Sequence, residues 1–215
     1  MNQAFQESSR AKGTALQRTG AIAGILAPSV FTALIVLESI LRPGYSQISN
    51  YISDLGVGPY SIIQNTNFIV FGLLITIFGL GFGRILAMQT GRKVQAVVWL
   101  LVIGGLGCVL AGVFLIFLNY FGHLVATFIS FIAIIAVQFF VWRSLKDSSE
   151  WRQYRIYSLM SSLVSLALLF LFIYSITAFP YLSNTTIHGL TERLLVAVPL
   201  IWIEVSGLIT LRELM

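Results

Sequence analysis

Six apolar segments dominate the pattern of hydrophobic and polar positions along the chain. They cover residues 20–41, 62–83, 95–118, 122–141, 156–179 and 191–211. Each is about as long as a helix must be to cross the hydrocarbon core of a bilayer, and none alternates apolar and polar residues as a barrel strand does. A helix satisfies its own backbone hydrogen bonds in lipid. The pattern therefore predicts an all-α polytopic membrane protein, with a bundle of six transmembrane helices over residues 20–211.

A polar segment, YSQISNYISDLGVGP at residues 45–59, separates the first two apolar segments. Its apolar residues recur at the spacing of one helical face: Ile48, Tyr51, Ile52 and Leu55. The other face is polar: Asn50, Ser53 and Asp54. The spacing predicts a short amphipathic helix over residues 46–55, lying in the membrane interface and ending at Gly56. Its polar face either meets water and caps neighbouring helices, or forms a lid that points Asp54 into a cavity between the spans.

The composition supports the membrane assignment. The chain is 57% hydrophobic and has a mean hydropathy of +0.90. Only 10% of its residues are charged, whereas soluble domains contain about 25%. A soluble fold of 215 residues cannot bury that much apolar surface. The single cysteine, Cys108, excludes an intramolecular disulfide and a metal site built from several thiolates.

The basic residues gather in alternate loops. One side of the predicted bundle carries eleven of the thirteen: Arg10, Lys12, Arg18, Arg84, Arg92, Lys93, Arg143, Lys146, Arg152, Arg155 and Arg212. Only Arg42 and Arg193 fall on the other side. The positive-inside rule then predicts a protein of the cell membrane whose tail, residues 1–19, and C-terminus, residues 212–215, are both cytoplasmic. The net charge of +5 reflects this topology, so membrane lipids are the expected partners and nucleic acids are not.

The ionisable residues at membrane depth cluster near the side opposite the termini. The candidate outer polar site consists of Asp54, His123, Glu192, Arg193, Glu38 and Arg42. Charged groups there are costly, so each one raises a question of function. They either form a site, in which a histidine beside carboxylates acts as a general acid or base, or an ion-pair network that locks helix ends together.

The sequence favours neither a metal nor a cofactor. It contains no His-Glu-x-x-His and no Gly-x-Ser-x-Gly motif, and His123 and His188 are too few for a zinc site without help from carboxylates. A haem held by these two histidines, in a redox subunit, is a distant alternative.

A second polar group is predicted deeper in the bundle. Glu204 lies well inside the sixth span, and the fifth carries a stripe of serines at helical spacing: Ser158, Ser161, Ser162 and Ser165. Ser162 and Glu204 are at similar depth. We expect Glu204 to hydrogen-bond to Ser162 and Ser165, either to hold the two helices together or to relay protons.

Several motifs carry a resemblance to a known family. They are GILAP (24–28), the connector YSQISNYISDLGVGP, AGVFLIF (111–117), GHL (122–124) and GLTERL (189–194). Residues 18–211 resemble the bacterial and archaeal family of six-span membrane proteins called domain of unknown function 998. The resemblance implies that Asp54, His123, Glu192 and Arg193 are characteristic polar positions, but it implies no substrate. LIFLNY (115–120) departs from the family, whose members often have Pro and an acidic residue there.

Two classes of function remain open. The first is a non-catalytic accessory or scaffold component, or a lipid-contacting one. Protein subunits of a larger membrane complex are the partners expected for an accessory role. The second is an enzyme or carrier that acts on a lipid or small solute at a polar site in the outer leaflet. Asn184 begins an N-x-T sequon that the predicted topology places outside.

Overall fold

The computed structural model describes residues 14–91, 94–116, 118–178 and 186–215. These residues form six long helices: α1 (Ala15–Leu41), α2 (Ser61–Thr90), α3 (Gln95–Val113), α4 (Tyr120–Ser144), α5 (Arg152–Ala178) and α6 (His188–Arg212). No strand occurs in the described part of the chain. All six helices are long and apolar enough to cross a membrane. The predicted all-α, multi-span bundle is therefore confirmed.

Each helix packs against its neighbours in the chain, and α6 closes the bundle by packing against α1 as well as α5. The helices thus form a ring. One end of the ring carries the segment between α1 and α2, residues 42–60, which we call the connector. The opposite end carries the start of α1 and the end of α6, and we call it the terminal end. Arg92, Lys93 and Asn184 lie outside the described residues.

Glycines set the closest helix contacts. A Cβ atom on Gly20 of α1 would lie 2.7 Å from the Cα atom of Gly81 in α2. A Cβ atom on Gly72 of α2 would collide with the carbonyl of Gly105 in α3 and lie 2.8 Å from the amide nitrogen of Val109. No side chain fits in either place. Apolar helices gain little from burial against one another in lipid, so such close van der Waals contact is what holds them together.

Hydrogen bonds between side chains add to this packing near the terminal end. The indole Nε1 of Trp202 in α6 donates to Ser158 Oγ of α5 at 3.0 Å. One turn further along α6, Ser206 Oγ lies 2.5 Å from the hydroxyl of Tyr154. Both pairs are buried. The serine stripe of α5 thus contacts α6 through Ser158 and Trp202, and Tyr154 of α5 adds a second contact at Ser206.

The predicted contact of Glu204 with Ser162 and Ser165 is wrong. Glu204 accepts a hydrogen bond from Ser29 of α1, at 3.4 Å. Ser162 donates instead to the carbonyl of Ile135 in α4, and the buried hydroxyl of Ser165 has no partner among the described residues. The reason is the rotation of α6. Trp202 turns toward α5, and a residue two positions later points about 200° away around the helix.

The connector contains less helix than its spacing predicts. Its helical part is one 3₁₀ turn, Ser53–Gly56, preceded by a turn in which the Asn50 amide donates to the Ser46 carbonyl at 2.8 Å. The carbonyls of Ile48 and Asn50 accept hydrogen bonds from α6 rather than from the next helical turn. An α-helix cannot continue when its carbonyl groups are used elsewhere.

The connector is also partly buried within the bundle. Ile52 and Leu55 are 3% and 0% exposed and belong to the main apolar core of the bundle. Ile48 on the predicted apolar face is 57% exposed. The connector therefore closes one end of the helix ring by inserting two side chains into it.

Candidate functional site

Arg193 holds the connector to the start of α6. Its Nη1 donates to the carbonyls of Asn50 and Gly189, at 2.9 Å each. Its Nη2 donates to the hydroxyl of Tyr45, and the guanidinium carbon lies 5.5 Å from the centre of the same ring. One side chain thereby ties the two ends of the connector turn to a helix that is distant in sequence.

A glycine makes this contact possible. A Cβ atom on Gly189 would collide with the carbonyl oxygen of Asn50 and lie 2.8 Å from that of Gln47. The next amide, that of Leu190, donates to the carbonyl of Ile48 at 2.9 Å. The backbones of α6 and the connector thus touch directly, which only a residue without a side chain allows.

Tyr45 and Arg42 hold the other side of the connector. The Tyr45 hydroxyl donates to the carbonyl of Tyr51 at 2.7 Å, and Arg42 Nη1 donates to the carbonyl of Asp54. Burial raises the pKa of Tyr45 to about 12, although the nearby Arg193 guanidinium acts in the opposite direction. The phenol therefore stays protonated at neutral pH, as a donor must.

The two carboxylates at this end accept hydrogen bonds from the connector backbone. Glu192 Oε2 accepts from the amide of Ile52 at 2.6 Å, and Asp54 Oδ2 accepts from the amide of Tyr51 at 2.9 Å. A carboxylate from α6 and one from the connector are thus bound to consecutive amides of the connector.

A cleft of about 520 Å³ opens beside these carboxylates, between α4 and α5. Such a volume is in the range of small-molecule sites. Its polar lining comes from Tyr51, Ser53, Asp54, His123, Thr127, Thr177 and Glu192. Its apolar lining comes from Ile116, Leu124, Phe128, Phe172 and Ile176, with Tyr120 at the rim. Tyr120 is 63% exposed, so the cleft is bordered by an exposed side chain at the start of α4.

A narrow chamber of about 60 Å³ continues from the cleft into the centre of the helix ring. It is lined mainly by apolar residues of α1, α2, α3, α4 and α6, among them Phe31, Phe71 and Leu200. Four polar residues line both spaces: Ser53, His123, Thr127 and Glu192. We call these four the polar collar. The collar stands where the open cleft meets the apolar interior.

The hydrogen bonds of His123 define which of its two ring nitrogens carries the hydrogen. Its Nδ1 lies 2.8 Å from the carbonyl of Ala111 and 3.1 Å from that of Phe114. Carbonyl oxygens only accept, so Nδ1 carries a hydrogen and the neutral ring has its lone pair on Nε2. That nitrogen makes no hydrogen bond to any residue in the described ranges, and so it can accept one from a ligand.

Thr127 lies one helical turn after His123 on α4 and was missed in the sequence analysis. Its hydroxyl is buried and has no partner within the described ranges. A buried polar atom without a partner costs free energy, about 1–3 kcal/mol. A ligand that reaches the collar would remove that cost. Its spacing of four residues from His123 was the available signal, but threonines on apolar helices are common.

The six predicted outer residues do not form one cluster. Asp54, His123 and Glu192 line the cleft. Arg42 and Arg193 turn their guanidinium groups to the connector backbone and do not line it. Glu38 is fully buried near the end of α1, where neither of its carboxylate oxygens has a hydrogen-bond partner among the described residues.

The two histidines occupy separate environments. His188 stacks on Tyr51, with ring centres 5.5 Å apart, and its Nδ1 lies 3.5 Å from Ser175 Oγ. His123 instead packs edge-on to Phe68. The described residues contain no group of three or more His, Cys, Asp or Glu that could hold a metal ion.

Residues 25–209 match the family model described as "Protein of unknown function (DUF998)". The chain belongs to this family. The resemblance found in the sequence motifs is thus confirmed. The match includes Asp54, His123 and Glu192 of the cleft wall. The chain matches no curated protein and no solved structure.

Proposed function

We propose that this DUF998 protein binds an amphiphilic molecule, a lipid or a lipid-like solute, in the cleft between α4 and α5. The observation that carries the proposal is the grouping of Asp54, His123 and Glu192 at one end of a cleft whose other walls are apolar. These three residues come from the connector, α4 and α6. A binding site would explain why costly polar groups from separate segments meet at a cavity.

The lining suits a molecule with two ends. Leu124, Phe128 and Ile176 would contact an acyl or other apolar chain, and the collar would bind the polar end. His123 Nε2 accepts a hydrogen bond, and the hydroxyl of Thr127 can donate one. A histidine beside a carboxylate is also a usual general acid or base, so an enzyme and a carrier both fit this arrangement.

The orientation is part of the proposal. The basic residues lie mainly in the loops at the terminal end, so the positive-inside rule favours cytoplasmic termini in the cell membrane. The cleft would then open in the outer leaflet, and membrane lipids would reach it through the gap beside Tyr120.

A role as an accessory or scaffold subunit is the second candidate. It is favoured by the use of Arg42 and Arg193 to hold the connector rather than to line the cleft. In that case the polar network serves only to close the bundle, and protein subunits are the partners. Such a protein would bind no amphiphile in the cleft.

Native mass spectrometry of the purified protein with added lipid distinguishes the amphiphile-binding function from the scaffold role. Leu124→Trp fills the cleft, and Ile132→Trp adds the same bulk to an exposed position of α4 that lines neither space. We expect Leu124→Trp to reduce the occupancy of bound amphiphile about tenfold, equivalent to about 1.4 kcal/mol, and Ile132→Trp to leave it unchanged. If Leu124→Trp bound as much amphiphile as Ile132→Trp, the proposal would be refuted.

A further inference from the structure

We infer that the polar end of this ligand carries a positively charged nitrogen, as an alkylammonium group does. The inference rests on the proposed amphiphile site and identifies the class of head group that it would take. It is drawn from the charges that line the cleft, the positions of the arginines and the aromatic rings beside the collar.

The charges on the cleft wall are negative. Asp54 and Glu192 both line it, and Glu192 is only 6% exposed. The 2.6 Å bond from the Ile52 amide holds this carboxylate in place. Its Oε1 makes no hydrogen bond within the described ranges. The neighbouring Arg193 already interacts electrostatically with this carboxyl group, but Arg193 does not line the cleft. A buried carboxylate is costly unless positive charge or several donors meet it, and a cationic ligand would add positive charge on the cleft side.

No lysine or arginine is among the described residues that line the cleft. The chain has none between Lys93 and Arg143, and none between Arg155 and Arg193. The walls contributed by α4 and α5 are therefore without positive charge over the whole depth of the cleft. An anionic head group would meet two acidic residues and no lysine or arginine of the described lining.

The two arginines at this end are committed to other partners. Arg193 donates to two carbonyls and to the Tyr45 hydroxyl, and Arg42 donates to the carbonyl of Asp54. Neither arginine lines the cleft. Neither guanidinium could turn to an anion in the cleft without breaking the bonds that hold the connector.

Aromatic rings complete the lining beside the carboxylates. The cleft is bordered by Tyr51, Tyr120, Phe128 and Phe172. Tyr51 and Phe172 meet edge to face, with ring centres 6.1 Å apart. Aromatic faces attract cations, and alkylammonium groups in particular bind where several rings surround them. Rings and carboxylates together favour an ammonium group over a neutral or anionic one.

Three probes with the same dodecyl chain test this: dodecyltrimethylammonium, dodecyl sulfonate and dodecyl maltoside. Binding to the full chain, in micelles of a neutral polyoxyethylene detergent, is counted by native mass spectrometry. The signal that survives in Leu124→Trp is subtracted as binding outside the cleft. We expect the ammonium probe to bind at least about tenfold better than either of the others.

Two variants and a matched control locate the preference. Glu192→Gln keeps an oxygen for the Ile52 amide but removes the charge, and Phe128→Leu removes one ring. We expect each to lower the ratio of ammonium binding to maltoside binding by about threefold or more. Glu204→Gln removes a carboxylate of the same helix that does not line the cleft, and should keep the full preference.

The outcomes separate this inference from the proposed function. Equal or better binding of the sulfonate or maltoside probe in the cleft would overturn the inference and leave the amphiphile site standing. If Leu124→Trp reduced the binding of none of the three probes, the proposed function itself would be overturned. A preference for the ammonium probe that Glu192→Gln does not change would also contradict the inference.

Discussion

The two ends of this helix bundle use polar side chains differently. Near the terminal end, Trp202 with Ser158 and Tyr154 with Ser206 pair across the α5–α6 contact, and each pair satisfies its own groups. At the connector end, Glu192 and Arg193 bind the backbone of an inserted segment. The first arrangement joins two helices, whereas the second builds a wall around a cavity.

The difference shows why polarity in a membrane helix does not by itself mark a site. The serine stripe of α5 and the polar residues of α6 are equally conspicuous in the sequence. Only polar residues that border an open space and keep an unused hydrogen-bonding atom, as His123 and Thr127 of α4 do, are available to a ligand. The comparison predicts that substitutions at the two ends change different measurements.

The largest effect is expected from Gly189→Ala. The added Cβ atom would collide with the Asn50 carbonyl, push the connector away from α6 and break the bond from the Leu190 amide. We expect a loss of roughly 3 kcal/mol in stability together with loss of amphiphile binding. Thermal unfolding in detergent measures the stability, and native mass spectrometry measures the bound amphiphile.

Leu190→Ala is the control for that variant, because Leu190 is exposed and its amide bond survives the change. It should unfold at nearly the temperature of the original protein. If Gly189→Ala were as stable as this control and still bound amphiphile, the described contact between α6 and the connector would be wrong.

A smaller effect is expected from Trp202→Phe at the other end. The change removes the donor to Ser158 and leaves a small cavity beside Phe82, which meets the indole edge to face. The free energy of unfolding should fall by roughly 2 kcal/mol, whereas amphiphile binding by the folded protein should not change. Trp99→Phe, at an exposed position of α3, is the matched control and should alter neither measurement. Weaker binding in Trp202→Phe would mean that the two ends are coupled.

The smallest effect is expected from Glu204→Gln. Its one described hydrogen bond comes from Ser29 at 3.4 Å, in an exposed setting. The amide oxygen of glutamine can still accept from Ser29, so stability should change by less than about 0.5 kcal/mol. A large loss of stability or of binding would show that Glu204 has a role that its contact with Ser29 does not explain.

The candidate site could be predicted only in part. Asp54, His123 and Glu192 stand out because ionisable groups are rare and costly in apolar helices, and they do line one cleft. Arg193 stands out for the same reason, but its guanidinium is used by the connector backbone. Thr127 and Phe172 give no such signal, because threonine and aromatic residues are ordinary in membrane helices. Tyr51 stands out only as part of the apolar face predicted for the connector helix. The partner of Glu204 was mispredicted because depth in the bilayer says nothing about which neighbour a helix face meets.

The sequence by itself determined the fold class. Six apolar segments long enough to cross lipid leave the backbone no alternative to helices, and the polar connector between the first two has to remain at an end of the bundle. The tertiary structure alone decided the rotation of each helix and the depth of the connector. Both depend on contacts between distant residues, such as Gly189 with Asn50 and Trp202 with Ser158. A spacing along one helix records which residues share a face, but not which neighbour or cavity that face meets.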